Sequence, residues 1–144
     1  MATSLTFTGT IFVSASQFTS ASQSTSQAIV TAGPDGSRIY GISAQTTNTG
    51  SVQIHLAYSG STAVTSLYHG TMLPQAGNTA SIAAADLFGS TVGAAVFQKQ
   101  KDANGVPYFN IPPNSAITAV VSGSALQKIH ANAVVNITTF GENY

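Results

Sequence analysis

Apolar and polar residues alternate with a period of two along most of this chain. From Leu5 to Val13, the residues Leu5, Phe7, Gly9, Ile11 and Val13 share one face, while Thr6, Thr8 and Thr10 share the other. From Val52 to Tyr58 the apolar set is Val52, Ile54, Leu56 and Tyr58, opposite Gln53, His55 and Ala57. Ile129, Ala131, Ala133, Val135 and Ile137 repeat the pattern near the C-terminus. Successive side chains of a strand point to opposite faces, so each run predicts a strand with one face on a core.

Turn signals separate these runs. Gly33-Pro34-Asp35-Gly36 predicts a turn between a strand ending near Ala32 and one beginning near Arg38. Asn48-Thr49-Gly50 predicts a hairpin joining the strand before it to the run 52–58. Ser59-Gly60-Ser61 and Pro74-Gln75-Ala76-Gly77-Asn78 bracket another strand, Asp102-Ala103-Asn104-Gly105 is the strongest turn signal, and Pro112-Pro113-Asn114-Ser115 closes the next run. The predicted strands lie near 4–13, 23–32, 37–47, 51–58, 64–73, 94–101, 106–111 and 116–122, with a long run over 127–140 as a ninth. Ser81-Ile82-Ala83-Ala84-Ala85-Asp86-Leu87-Phe88 alone reads as helical, one or two turns ended by Gly89. Many short strands with turns every eight to twelve residues or so indicate a sandwich or barrel. The expected fold is therefore all-β: an antiparallel β-sandwich, jelly-roll-like, of about eight strands with one short helical turn near 81–88. A single domain is expected over 1–144. Within it, the segment 14–27 is nearly all Ser, Thr, Gln and Ala, and reads as an edge strand with a loop or as an arm.

Composition narrows the function classes. Ser and Thr number 18 each, a quarter of the chain, and both disfavour helix interiors. Only eight of 144 residues carry a formal charge, four basic and four acidic. That is 6 %, where soluble domains carry about 25 %. Four scattered cations cannot neutralise a nucleic-acid backbone, so no nucleic-acid partner is expected. Cysteine is absent, which removes disulfides, zinc-thiolate sites and thiol catalysis together. Met1-Ala2-Thr3-Ser4-Leu5-Thr6 carries no basic region before an apolar stretch, so no signal peptide is expected. No apolar run approaches the ~18 residues of a membrane helix, so no membrane partner is expected either.

The candidate chemistry is sparse. The carboxylates are Asp35, Asp86, Asp102 and Glu142. Asp35 and Asp102 fall in turns and Glu142 close to the end, which reads as turn chemistry and capping rather than the facing pair that acid–base catalysis needs. His55, His69 and His130 each stand alone in the sequence, without the paired spacing of a metal motif, and read as surface or interface histidines. There is no Gly-x-Ser-x-Gly elbow and no Gly-x-Gly pair. Asn136-Ile137-Thr138 matches a glycosylation acceptor but lies inside a predicted strand. Lys99 and Lys101 read as solvated charges at a hairpin tip. No catalytic, cofactor-binding or metal residues are assigned, and no enzyme activity is expected.

Three stretches carry a resemblance. They are Asp35-Gly36-Ser37-Arg38-Ile39-Tyr40-Gly41-Ile42-Ser43-Ala44 with the strand Val52-Gln53-Ile54-His55-Leu56 after it; Tyr68-His69-Gly70-Thr71-Met72-Leu73-Pro74-Gln75-Ala76-Gly77; and Asp102 to Ser115 leading into Ile117–Val121. In this order they resemble small tailed-bacteriophage virion proteins of the head decoration, or cementing, type. The resemblance covers about residues 35–121. It implies a non-enzymatic viral structural protein on the outer surface of a capsid, made in the host cytoplasm, that bridges and stabilises the major capsid subunits. The implied partners are the major capsid protein and copies of itself, as dimer or trimer. A tail, neck or fibre component that binds a receptor or glycan is the alternative, with Tyr40, Tyr58, Tyr68, Tyr108 and Tyr144 as the stacking candidates. A surface this poor in ions suits close packing on a partner, because pairing hydroxyls and amides costs far less than burying charges.

Overall fold

The computed structural model describes residues 10–60, 64–89, 94–95, 99–123 and 129–144. Its strands are β1 (Thr10–Phe18), β2 (Gln27–Thr31), β3 (Ser37–Thr46), β4 (Val52–Ser59), β5 (Val64–Met72), β6 (Ala85–Asp86), β7 (Ala94–Ala95), β8 (Gln100–Lys101), β9 (Pro107–Ile111), β10 (Ala116–Gly123) and β11 (Val135–Asn143). All pairings are antiparallel. One sheet runs β1-β11-β3-β9-β8, with β6 beside the far end of β3; the other runs β2-β10-β4-β5-β7. Without the three two-residue strands, eight remain, four in each sheet. Their orders, β1-β11-β3-β9 and β2-β10-β4-β5, are those of a jelly roll, in which the chain alternates between two facing sheets.

The sheets close on one apolar cluster. Phe18, Ile39, Ile42, Val135 and Ile137 come from the first sheet, and Ile29, Ile54, Leu56, Ile117 and Val121 from the second. β3, β4, β10 and β11 contribute mainly alternate residues to it, as the period-two pattern demands, while β2 and β5 bury the adjacent pairs Ile29–Val30 and Leu67–Tyr68. The run 51–58 behaves as the alternation predicts, with Val52, Ile54 and Leu56 inside.

The first strand inverts its expected faces. Ile11 and Val13 are 49 % and 68 % exposed, while Phe12, Ser14, Ser16 and Phe18 turn inward. Phe18 is completely buried and lies an even number of residues from Phe12, so these two rings set which face meets the core. The expected positions 4–9 lie outside the described residues. Of the segment 14–27, the first part completes β1 at the edge of its sheet, a short 3-10 turn follows at Ser20–Ser22, and Gln27 opens β2. Ser14 Oγ donates to the Ile29 carbonyl at 3.1 Å, which ties β1 to β2 across the two sheets.

Four further expectations are corrected. No helix forms over 81–88: Ile82 bridges Thr79, Ala85–Asp86 pairs with β3, and the Leu87 N–H donates to the Ile42 carbonyl at 2.9 Å. A run this short cannot hold a helix unaided, and β3 offers its backbone a better partner. The turn at Asn48-Thr49-Gly50 is not a hairpin, because β3 and β4 belong to different sheets. Of the expected strand at 94–101, Ala94–Ala95 pairs with β5 in the second sheet and Gln100–Lys101 with β9 in the first, while 96–98 lie outside the described residues. The last strand begins at Val135 rather than near 127; Ile129 and Ala133 are buried from a loop, closed by an Ala133 N–H bond to the His130 carbonyl at 3.0 Å.

Candidate functional site

The outer face of the first sheet carries the densest chemistry. Ile11, Glu142, Arg38 and Asn110 are successive cross-strand partners on β1, β11, β3 and β9, so they form one row across four strands. Beside it lie Val13 and Phe140, paired across β1 and β11, with Tyr40 and Tyr108. The Tyr40 ring stands 5.9 Å from Tyr108 and 6.1 Å from Phe140. A bulge between Phe140 and Gly141 shifts β11 against β3 and puts Tyr40 at the irregularity.

Arg38 is the centre of this face. Its guanidinium lies 4.7 Å from the Tyr108 ring centroid and 5.0 Å from that of Tyr144. Its Nε–H donates to the Tyr144 hydroxyl at 2.5 Å, and that hydroxyl donates to Asn110 Oδ1 at 3.0 Å. The bonds to Tyr144 and then Tyr40 push the guanidinium pKa up from its already high value, against the effect of burial, so Arg38 stays a cation. Glu142 lies against it, Arg38 Nη1 to Glu142 Oε1 being 3.6 Å. The carboxylate is fully buried, and neither oxygen accepts a hydrogen bond from a described residue. The two charges cancel, leaving the face neutral.

Ile11, Val13, Phe140 and Tyr144 are exposed on this one face, and they are four of the six exposed large hydrophobic residues among those described. Exposed apolar residues gathered on one face are a common feature of contact surfaces. Its edge is β1, nine residues with neither charge nor proline to block strand addition.

The other expected groups are dispersed. Asp102 Oδ1 accepts the Asn104 and Val106 N–H groups, both at 2.9 Å, and so builds the β8–β9 hairpin. Asp86 Oδ1 accepts from Phe88 and Gly89 at 3.0 and 2.8 Å. Asp35 is an exposed turn residue. These three behave as turn formers; Glu142, read from the sequence as terminal chemistry, is instead the buried half of an ion pair. Tyr68 belongs to the core and Tyr58 packs against it, so of the five tyrosines only Tyr40, Tyr108 and Tyr144 gather on the outer face. Lys99 Nζ sits 4.5 Å over the Phe88 ring. Asn136-Ile137-Thr138 lies inside β11, paired on both sides. His55 and His69, each alone in the sequence, are brought side by side on the second sheet, while His130 is exposed in the loop before β11. A pocket of about 210 Å³ beside β5 is lined by Tyr68, Met72, Leu73 and Asp86 among others. Its one carboxylate is the turn-forming Asp86. No protein-family model, curated protein or solved structure matches this chain.

Sequence reading missed the Arg38–Glu142 pair. The partners are far apart in the chain, and only the β3–β11 register joins them. The available signal was a rare pair of opposite charges, with Arg38 inside a predicted strand and Glu142 two residues beyond the predicted run 127–140.

Proposed function

We propose that this chain is a non-enzymatic structural protein of a virus particle, which decorates and stabilises a capsid by docking on the major capsid subunits through the outer face of its first sheet. The observation that carries the reading is the clustering of Ile11, Val13, Phe140 and Tyr144 on one neutral face. Aromatic residues and an arginine at the centre of a patch, with few other charges around them, are the composition that anchors protein–protein contacts. The jelly-roll topology and the charge-poor sequence agree with a protein meant to be covered. In this reading the protein sits on the outer capsid surface, with copies of itself and the major capsid protein as neighbours.

A second reading, a tail or fibre component that binds a glycan, is favoured by one detail. Arg38 lies between the Tyr108 and Tyr144 rings with Asn110 beside it, a set of stacking faces and polar groups suited to a sugar.

Particles assembled with and without the protein distinguish the readings. On the decoration reading, hundreds of copies cover each head, particles lacking them break at lower temperature, and Val13→Asp abolishes attachment while the isolated protein unfolds as before. A handful of copies at the tail, with binding to glycans lost in Tyr144→Ala, supports the second reading instead. Absence from the mature particle refutes both.

A further inference from the structure

The second sheet carries a separate cluster on its outer face. His55 on β4 and His69 on β5 are direct cross-strand partners, with ring centroids 5.4 Å apart and ring planes at 49°. Directly opposed residues of an antiparallel pair share a face, with Cβ atoms about 4.5–5.5 Å apart. Two imidazoles that each hold one ion at about 2.0–2.1 Å, at a tetrahedral angle, have centroids about 5 Å apart. The two rings therefore stand close to the separation that a shared ion requires.

Their surroundings favour the same role. His55 Nε2 lies 2.8 Å from Ser66 Oγ on β5, a contact that orients the ring and leaves Nδ1 for a ligand. His69 is exposed. The residue paired with His55 on β10 is Val120, and no carboxylate of a described residue forms an ion pair with either ring. The pair therefore offers two imidazole donors at a surface where solvent can complete a coordination shell.

We propose that His55 and His69 form an open, two-imidazole site for a divalent transition ion, with water in the remaining positions. Two nitrogen donors and no thiolate suit copper(II), nickel(II) and zinc(II), with copper(II) the tightest. Each ring donates a lone pair from a neutral nitrogen, and the ion keeps its oxidation state. The site lies on the opposite sheet from the aromatic face and does not depend on what that face binds.

The test uses cupric ion alone, titrated into the full-length chain and followed by calorimetry and electron paramagnetic resonance. The expected result is one ion per chain with the splitting of two imidazole nitrogens. Because the second imidazole binds intramolecularly, His69→Ala is expected to weaken affinity about 100-fold. His55→Ala tests the other ligand, and His130→Ala should leave binding unchanged. His69 is exposed, so its variant is expected to fold; matching thermal unfolding checks this. Unchanged affinity in His69→Ala, or equal losses in His130→Ala, would show an adventitious ion only and overturn the assignment.

Discussion

Arg38 and Glu142 are direct partners across β3 and β11, and their charged groups meet at 3.6 Å on the outer side of a sheet. The Arg38 side chain is 25 % exposed and that of Glu142 only 1 %. A carboxylate so buried, without hydrogen bonds from described residues, depends on its counter-charge. Removing one partner then costs more than removing both. Arg38→Ala is expected to destabilise by about 3 kcal/mol, the range for stranding a buried charge. Arg38→Met combined with Glu142→Leu should recover much of that loss. Urea unfolding of the singles and the double gives the coupling energy; simple additivity would sink the argument.

Gly141 sits where β11 slips past β3. A Cβ there would overlap the Arg38 carbonyl oxygen and stand 3.0 Å from Phe12 Cζ. The backbone cannot retreat without breaking the register that aligns Glu142 with Arg38. Gly141→Ala is expected to cost about 1–3 kcal/mol through overpacking. Gly41, which has nothing within 4 Å of its Cβ position, supplies the control. Gly41→Ala should shift stability by less than about 0.5 kcal/mol. Thermal melts of the two variants decide; equal shifts would mean that the bulge has slack.

How much of this was legible in the chain depends on the range of the interaction. The turns at Gly33–Gly36 and Asp102–Gly105 were readable because their hydrogen bonds close within a few residues, as Gly36 N–H to Gly33 O and the Asp102 side chain show. Alternation found the strands but could not say which face of β1 is inside. Ile11 and Val13 are as apolar as Phe12, and the choice rests on Phe18, beyond the run that the pattern picked out. The helix expected over 81–88 was lost to the β3 backbone. The pairings of Arg38 with Glu142 and of His55 with His69 exist only once the sheets assemble, so no local pattern announces them.

Asn48 explains why its turn crosses between sheets instead of closing a hairpin. The residue is completely buried. Its Nδ2 donates to the Gly50 carbonyl at 3.1 Å, and its Oδ1 accepts the His130 N–H at 3.0 Å. The side chain thus fastens the β3–β4 connection to the loop before β11. Asn48→Ala strands the His130 N–H and the Gly50 carbonyl, for an expected loss of about 2–4 kcal/mol. Amide exchange gives the specific readout: the His130 amide should lose protection beyond the global change. Unaltered relative protection there would mean that another acceptor takes the bond.

Stability should fall in alkali, and Tyr68 should be a cause. Its ring is 4 % exposed, and burial pushes its phenol above the ordinary value of 10.0. The raised pKa means that the folded protein holds this proton longer than the unfolded chain does. Below the unfolded value both states are protonated, and the neutral phenol stabilises the core in full. As pH rises past it, the unfolded chain binds fewer protons than the folded one, so the free energy of unfolding falls with each step. That contribution is lost progressively until the pH passes the folded value, where ionisation in place ends the trend. Tyr68→Phe keeps the ring and removes the titration. Melting temperatures of wild type and variant between pH 8 and about 11 are therefore expected to diverge from about pH 10, wild type falling more steeply; parallel curves would assign the alkaline loss to other groups.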